Sequence, residues 1–204
     1  MWGKFLNAGQ TCVAPDYLLV EETIQEQFLE MLRKYIKEFK YDQDSEQYTR
    51  IINQRNFQRL IRLIDKEKLY SGGNFNEEKL YIEPTILNHV NWNDEIMQEE
   101  IFGPVLAFTT FKDEEEAVKI ANDTIYGLGA GVWTRDAHQL YNVPRQIEAG
   151  RVWVNQYHSY PAGAPFGGYK QSGIGRENHK MMLDHYRQTK NMLISYNKNK
   201  LGFF

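Results

Sequence analysis

Cys12 is the only cysteine in the chain, and it sits in the run Asn7-Ala8-Gly9-Gln10-Thr11-Cys12-Val13-Ala14-Pro15. A thiolate is the strongest side-chain nucleophile near neutral pH, so this run suits nucleophilic catalysis at sulfur. Gly9 permits close backbone approach, and Gln10 and Thr11 place hydrogen-bonding groups beside the thiol. Pro15 disfavours helix at Ala14, so a bend or extended stretch follows. The competing reading is that Cys12 is a small buried hydrophobe. Two further stretches are dense in special residues. One is Glu99-Glu100-Ile101-Phe102-Gly103-Pro104-Val105; the other is residues 156–177, which have no period but are rich in aromatics and glycine.

Other chemistries find less support. His89, His138, His158, His179 and His185 are scattered, with no HxxxH pair to hold a metal. Residues 167–175 are glycine-rich, but they match neither the phosphate-binding loop nor the dinucleotide fingerprint. A papain-like hydrolase stays open as an alternative, with Cys12 near the N-terminus, His158 far downstream and Asn178 after it. The residues around Cys12 do not carry the papain signature.

The elements that must position these residues read as α/β. Tyr17-Leu18-Leu19-Val20 is a short apolar strand. Residues 21–39 carry Phe28, Leu32, Tyr35 and Phe39 at helical spacing, and residues 53–68 carry Phe57, Leu60, Ile61 and Ile64. Gly72-Gly73 marks a tight turn or a close backbone approach. Residues 80–87 are extended, with an irregularity at Pro84. Gly103-Pro104 starts a strand over 105–111. Asp113 caps a helix to about Asn122, with Glu114, Glu115 and Glu116 in its first turn. Strands at 129–134 and 150–155 flank a helix over 137–148 in which Pro144 predicts a kink or break. Strands alternating with helices of this length predict parallel βαβ units. The aromatic loop after Asn155 then lies beyond a strand end, where apolar small-molecule sites form. The β-prone residues 192–196 either add to the domain's own sheet or pair with another chain.

Composition limits the partners. Apolar residues are 42% and charged residues 25%, enough to bury a core. A net charge of −3 gives no reason to expect nucleic acid. No apolar run reaches membrane-spanning length, no signal peptide follows Met1, and one cysteine fits a reducing cytoplasm.

Three motifs occur in a common order: Phe5-Leu6-Asn7-Ala8-Gly9-Gln10-Thr11-Cys12, then Glu99-Glu100-Ile101-Phe102-Gly103-Pro104, then Pro165-Phe166-Gly167-Gly168-Tyr169-Lys170-Gln171-Ser172-Gly173. Together they resemble the aldehyde dehydrogenase superfamily. The resemblance spans essentially the whole chain and displaces the buried-cysteine reading. It implies a parallel-sheet catalytic domain with helices on both faces over residues 1–186, and a C-terminal oligomerisation strand within residues 187–204. It also implies oxidation of a small aldehyde to an acid with NAD or NADP, cytoplasmic location and a homo-oligomer. Cys12 is then the nucleophile, and its backbone N–H helps to hold the oxyanion. Glu100 binds the nicotinamide ribose, and Phe102 packs at the nicotinamide end. Tyr160 and Phe166 line the aldehyde tunnel, and Asn155 has a structural role.

The departures from the family pattern carry expectations of their own. The family's N-terminal cofactor domain, its oxyanion-hole asparagine and its general-base glutamate are absent, and Asp16 is no obvious substitute for the base. The chain is therefore expected to be an incomplete catalytic domain, inactive alone. The run around Cys12 resembles the class 3 branch, whereas the stretch from about Ala107 looks more like class 1/2 bacterial enzymes. This predicts a chimera joined near residues 102–106. A non-catalytic α/β fragment or oligomerisation module is the alternative function, and a thiol no more reactive than free cysteine would favour it.

Overall fold

A computed structural model of the protein describes residues 1–199 and 202. The first part carries strands β1 (Tyr17–Glu21), β2 (Leu69–Ser71), β3 (Phe75–Asn76), β4 (Tyr81–Ile82), β5 (Thr85–Leu87) and β6 (Val105–Phe111). Helices α1 (Trp2–Phe5), α2 (Gln25–Phe39), α3 (Gln54–Leu63) and α4 (Glu95–Gln98) lie among them. The second part runs α5 (Glu114–Asn122), β7 (Tyr126–Gly127), β8 (Gly129–Val132), α6 (Ala137–Gln146), β9 (Arg151–Val154) and β10 (Tyr169–Lys170).

The main sheet has the order β1-β6-β5-β2. β6 is parallel to both β1 and β5, and β2 joins the edge antiparallel. Successive side chains of a strand point to opposite faces, and β6 shows this plainly. Val105 and Ala107 enter one core with Phe57, Leu60 and Leu63 of α3. Leu106 and Phe108 enter another with Leu29 and Leu32 of α2. Leu87 and Ile86 of β5 divide the same way. Each face is thus covered by a helix, as the α/β reading expects. A second parallel pair, β8 and β9, is connected through α6 as a compact βαβ unit. β10 pairs antiparallel with β7.

The termini of several elements differ from the sequence reading. A 3₁₀ turn over Glu22–Ile24 precedes α2, whose buried residues are Leu29 and Leu32 while Tyr35 is exposed. α3 ends at Leu63 rather than Lys68. Ile64 is extended, and the Asp65 carboxylate accepts from the Glu67 N–H to cap a separate 3₁₀ turn over Lys66–Lys68. A short polar side chain that bonds nearby backbone offers an alternative to the helix ladder. α6 runs on through Pro144 to Gln146, because the proline falls in its last turn and removes only one internal bond. β8 and β9 are each shorter than expected. Asn155 adopts φ 52° and clasps Thr134, accepting from its N–H at 3.0 Å and donating to its carbonyl at 2.9 Å.

Among the described residues, 192–196 pair with no strand. Met192, Leu193, Ile194 and Tyr196 are exposed. Residues 200, 201, 203 and 204 of the expected 187–204 segment lie outside the described residues.

Candidate active site

The thiol is carried on a short, tightly tied loop. Asn7, Ala8 and Gly9 are left-handed in succession, at φ 52°, 51° and 74°. The Asn7 amide donates to the Gln10 carbonyl and the Gln10 amide donates to the Asn7 carbonyl, both at 3.1 Å. Gln10 also donates to the Arg50 carbonyl at 3.0 Å and accepts from the Ile52 N–H at 2.9 Å, which pins the loop to residues 50–52. The Ala14 N–H donates to the Thr11 carbonyl at 2.8 Å, making a tight turn with Cys12 and Val13 at its centre. Val13 and Ala14 are buried, and the Cys12 thiol is exposed. Among the described residues the Cys12 N–H has no acceptor, so it is available to a bound oxygen.

The second motif lies directly against this loop. A Cβ on Gly9 would stand 2.1 Å from the Gly103 carbonyl oxygen, so the two backbones touch where only glycine fits. Glu100 and Ile101 are then held by charged side chains from three other elements. Asp16 accepts from the Ile101 N–H at 3.2 Å. Arg59 of α3 donates to the Glu100 carbonyl at 3.2 Å and to the Ile101 carbonyl at 2.5 Å. Lys4 of α1 is 2% exposed, and its ammonium pairs with the other Asp16 oxygen at 3.4 Å. Burial pushes the Lys4 pKa down against the opposing pull of Asp16 and Glu100. Partial burial, with Asp16 adding, raises the Glu100 carboxyl, and Arg59 and Lys4 act the other way. Phe102 adopts φ 49° and leaves its ring 40% exposed.

The aromatic loop closes the site from the second half of the chain. The Tyr157 hydroxyl donates to the Val13 carbonyl at 2.6 Å, next to Cys12 in sequence. Burial pushes the Tyr157 phenol above its ordinary range, with Tyr160, Asp16 and a Cys12 thiolate adding. Burial and Cys12 raise Tyr160 as well, and Arg151 opposes them. Tyr160 meets Phe166 edge-on at 5.3 Å and Trp153 at 5.7 Å. His158 packs its ring against Trp2 at 5.1 Å and Tyr160 at 5.4 Å. Burial lowers its pKa, and its Nε2 makes no hydrogen bond among the described residues. His158 therefore faces rings, and no bond joins it to Cys12 as a papain-like pair would require.

Tyr157 ties the aromatic loop to Val13, next to Cys12, and Trp153 packs on both Tyr157, at 4.6 Å, and Tyr160, on which Phe166 packs in turn. Glu100 and Phe102 are tied to the Cys12 loop through the contact of Gly9 with Gly103. Lys4, Asp16, Arg59, Tyr157 and Arg151 are parts of the site that the sequence reading did not single out for it. The only local signal was a lone lysine, Lys4, on an otherwise apolar turn.

The chain matches the family described as "Aldehyde dehydrogenase family" over residues 1–192. It is 50% identical over 210 residues to a long-chain-aldehyde dehydrogenase of Acinetobacter sp. It is 49% identical over 213 residues to acetaldehyde dehydrogenase 2 of Cupriavidus necator. Each alignment covers 98% of this chain and 42% of the relative, so the chain spans less than half the length of these curated proteins. A betaine aldehyde dehydrogenase from Staphylococcus aureus, solved in complex with NAD+, superposes with a TM-score of 0.88 at 34% identity. That match covers 99% of this chain and 43% of the other. The family match displaces the papain-like hydrolase.

Proposed function

The chain belongs to the aldehyde dehydrogenase family, and from that premise we propose that it is the catalytic part of an enzyme that oxidises an aldehyde to a carboxylic acid. The observation that carries this reading is the exposed Cys12 thiol on a turn tied at once to the Glu100–Phe102 segment and to the aromatic loop. The Cys12 thiolate attacks the aldehyde carbon. A C–S bond forms, the carbonyl electron pair moves to oxygen, and the Cys12 N–H donates to that oxygen. Tyr160 and Phe166 give the aldehyde's apolar part a surface to pack on. The residues fit a nicotinamide cofactor, because Glu100 offers a carboxylate to ribose hydroxyls beside the open ring of Phe102. NAD+ or NADP+ held there would supply the hydride acceptor that breaking the former aldehyde C–H bond requires, and water would then cleave the Cys12 thioester to the acid and the free thiol. Asp16 is a poor base for that water, because both its oxygens are engaged by Lys4 and Ile101.

Several finer expectations belong to the same reading. Residues 1–186 form the catalytic domain. Residues 187–204 form an oligomerisation segment that pairs with a second copy of the chain. The reducing conditions of a cytoplasm keep Cys12 as a thiol. No helix among the described residues is long and apolar enough to cross a membrane.

The test needs no cofactor. Cys12 is expected to react with iodoacetamide at least about tenfold faster than free cysteine at pH 7. Slow acyl transfer from p-nitrophenyl acetate is expected to vanish in Cys12→Ser. An unchanged acyl transfer would show the nucleophile assignment to be wrong. The 204-residue chain alone is expected to give no steady NADH production from aldehydes, and sustained turnover would overturn its incompleteness.

A further inference from the structure

Arg151 opens β9, and its side chain turns into the loop that follows the strand. Its guanidinium donates to the Ser159 carbonyl at 3.3 Å, the Ala164 carbonyl at 3.3 Å and the Pro165 carbonyl at 2.7 Å. The same group lies over three rings, with Cζ 5.9 Å from the Trp153 centroid, 5.9 Å from Tyr160 and 5.7 Å from Phe166. Trp153, two residues on and so on the same face of the strand, donates its indole N–H to the Ser159 carbonyl at 2.9 Å. Phe166 has a second anchor in a backbone bridge to Glu177, at 2.9 and 2.7 Å. Tyr160 stands between the two gripped points and has no hydrogen bond of its own among the described residues. Its place is therefore set by the grip on either side of it.

We propose that Arg151 is a specificity-determining positioning residue. By bridging the Ser159 and the Ala164–Pro165 carbonyls it holds the Tyr160 ring at the mouth of the Cys12 site, and so sets the preference for aldehydes with a flat apolar body. This rests on the reading of Cys12 as the nucleophile at that mouth. A planar guanidinium presents donors in a rigid fork and stacks on aromatic faces, whereas an ammonium is a point donor. Lysine at this position cannot span both sets of carbonyls, so it is not a conservative exchange.

A pair of alkylating probes separates the proposal from the reading beneath it. Iodoacetamide and its N-benzyl derivative react by the same step: sulfur displaces iodide, the C–S bond forms and the C–I bond breaks. With Cys12 the only cysteine, all thiol labelling reports on this site. The quantity read is the rate ratio of the benzyl probe to iodoacetamide, divided by the same ratio for glutathione. The wild-type chain is expected to give a normalised ratio above one. Arg151→Gln and Arg151→Lys are expected to lower that ratio by about tenfold, the lower end of what one methylene is worth in an apolar pocket. Iodoacetamide is the denominator of that ratio, so a change common to both probes cancels. Should Arg151→Gln fail to fold, as judged by circular dichroism, Arg151→Lys supplies the measurement. A raised wild-type ratio that persists in the variants would overturn the role of Arg151 and leave the mouth intact. A wild-type ratio of one would overturn the aromatic mouth, and this inference with it.

Discussion

Tyr17 and Tyr81 have phenols pushed up to about 12, mainly by burial, with Asp16 adding at Tyr17 and Glu83 adding first at Tyr81. A raised folded pKa means that the neutral phenol is the favoured form. The stability it contributes is fully present below pH 10 and is lost as the pH rises from about 10 to about 12. We expect urea midpoints to be flat from pH 7 to 9 and to fall steeply above pH 10. Tyr17→Phe should reduce that fall, by on the order of 2 kcal/mol at most. It should cost little at pH 7, because the Tyr17 hydroxyl makes no hydrogen bond among the described residues. A slope unchanged by the substitution would remove Tyr17 from the account. The chemistry at this scale was partly legible in the sequence. Cys12 stood out by uniqueness, and Glu100, Phe102, Tyr160 and Phe166 by resemblance to a family. Lys4, Asp16 and Arg59 were not legible as a set. Their meeting at Glu100 and Ile101 joins residues up to 97 positions apart, and no local pattern announces such a pairing.

Elements were legible where a punctuating residue stood at their ends. β6 begins after Gly103-Pro104 and runs over Val105–Phe111 as the sequence predicts, and Asp113 caps α5 by accepting from the Glu116 N–H at 2.9 Å. They were less legible where tertiary contacts decide, as at the end of α3. That helix is packed unusually close to the second motif: a Cβ on Gly103 would come within 2.3 Å of a Leu60 methyl. Gly103→Ala should therefore destabilise the chain, and Leu60→Ala should do so by about 2–5 kcal/mol through the cavity it leaves. The double variant should be more stable than the sum of the two effects implies, by on the order of 1–3 kcal/mol, because the shortened side chain makes room for the added methyl. Chemical denaturation of the four proteins gives this coupling directly. Strict additivity would mean that the clash relaxes elsewhere.

Over the whole molecule, the two halves of the sequence are tied together at the site. Tyr157 joins them by reaching from the loop after β9 to the Val13 carbonyl, and within the first half Asp16 reaches to Ile101. The α/β class was readable because helix and strand periods alternate along the chain. The fate of residues 192–196 was not, because a β-prone segment does not name its partner. Leu193 is 91% exposed and Tyr196 90%. An open apolar segment suits association, and the proposed oligomerisation segment includes this one. We expect the chain to sediment as an oligomer, and Leu193→Lys with Ile194→Lys to shift it to monomer while leaving its circular dichroism unchanged. A wild-type chain that is monomeric at micromolar concentration would sink the oligomerisation segment.

The rings gathered at the thiol also make the protein its own optical reporter. Of four tryptophans, Trp2 meets His158 edge-on, and Trp133 and Trp153 pack on Tyr157, while Trp92 lies against Tyr17. Three of the four indoles therefore pack on the loop that Tyr157 ties to Val13, next to Cys12. A contact quencher attached to that sulfur should darken the indoles on this loop more than Trp92, so labelling of Cys12 can be followed by intrinsic fluorescence without a second fluorophore.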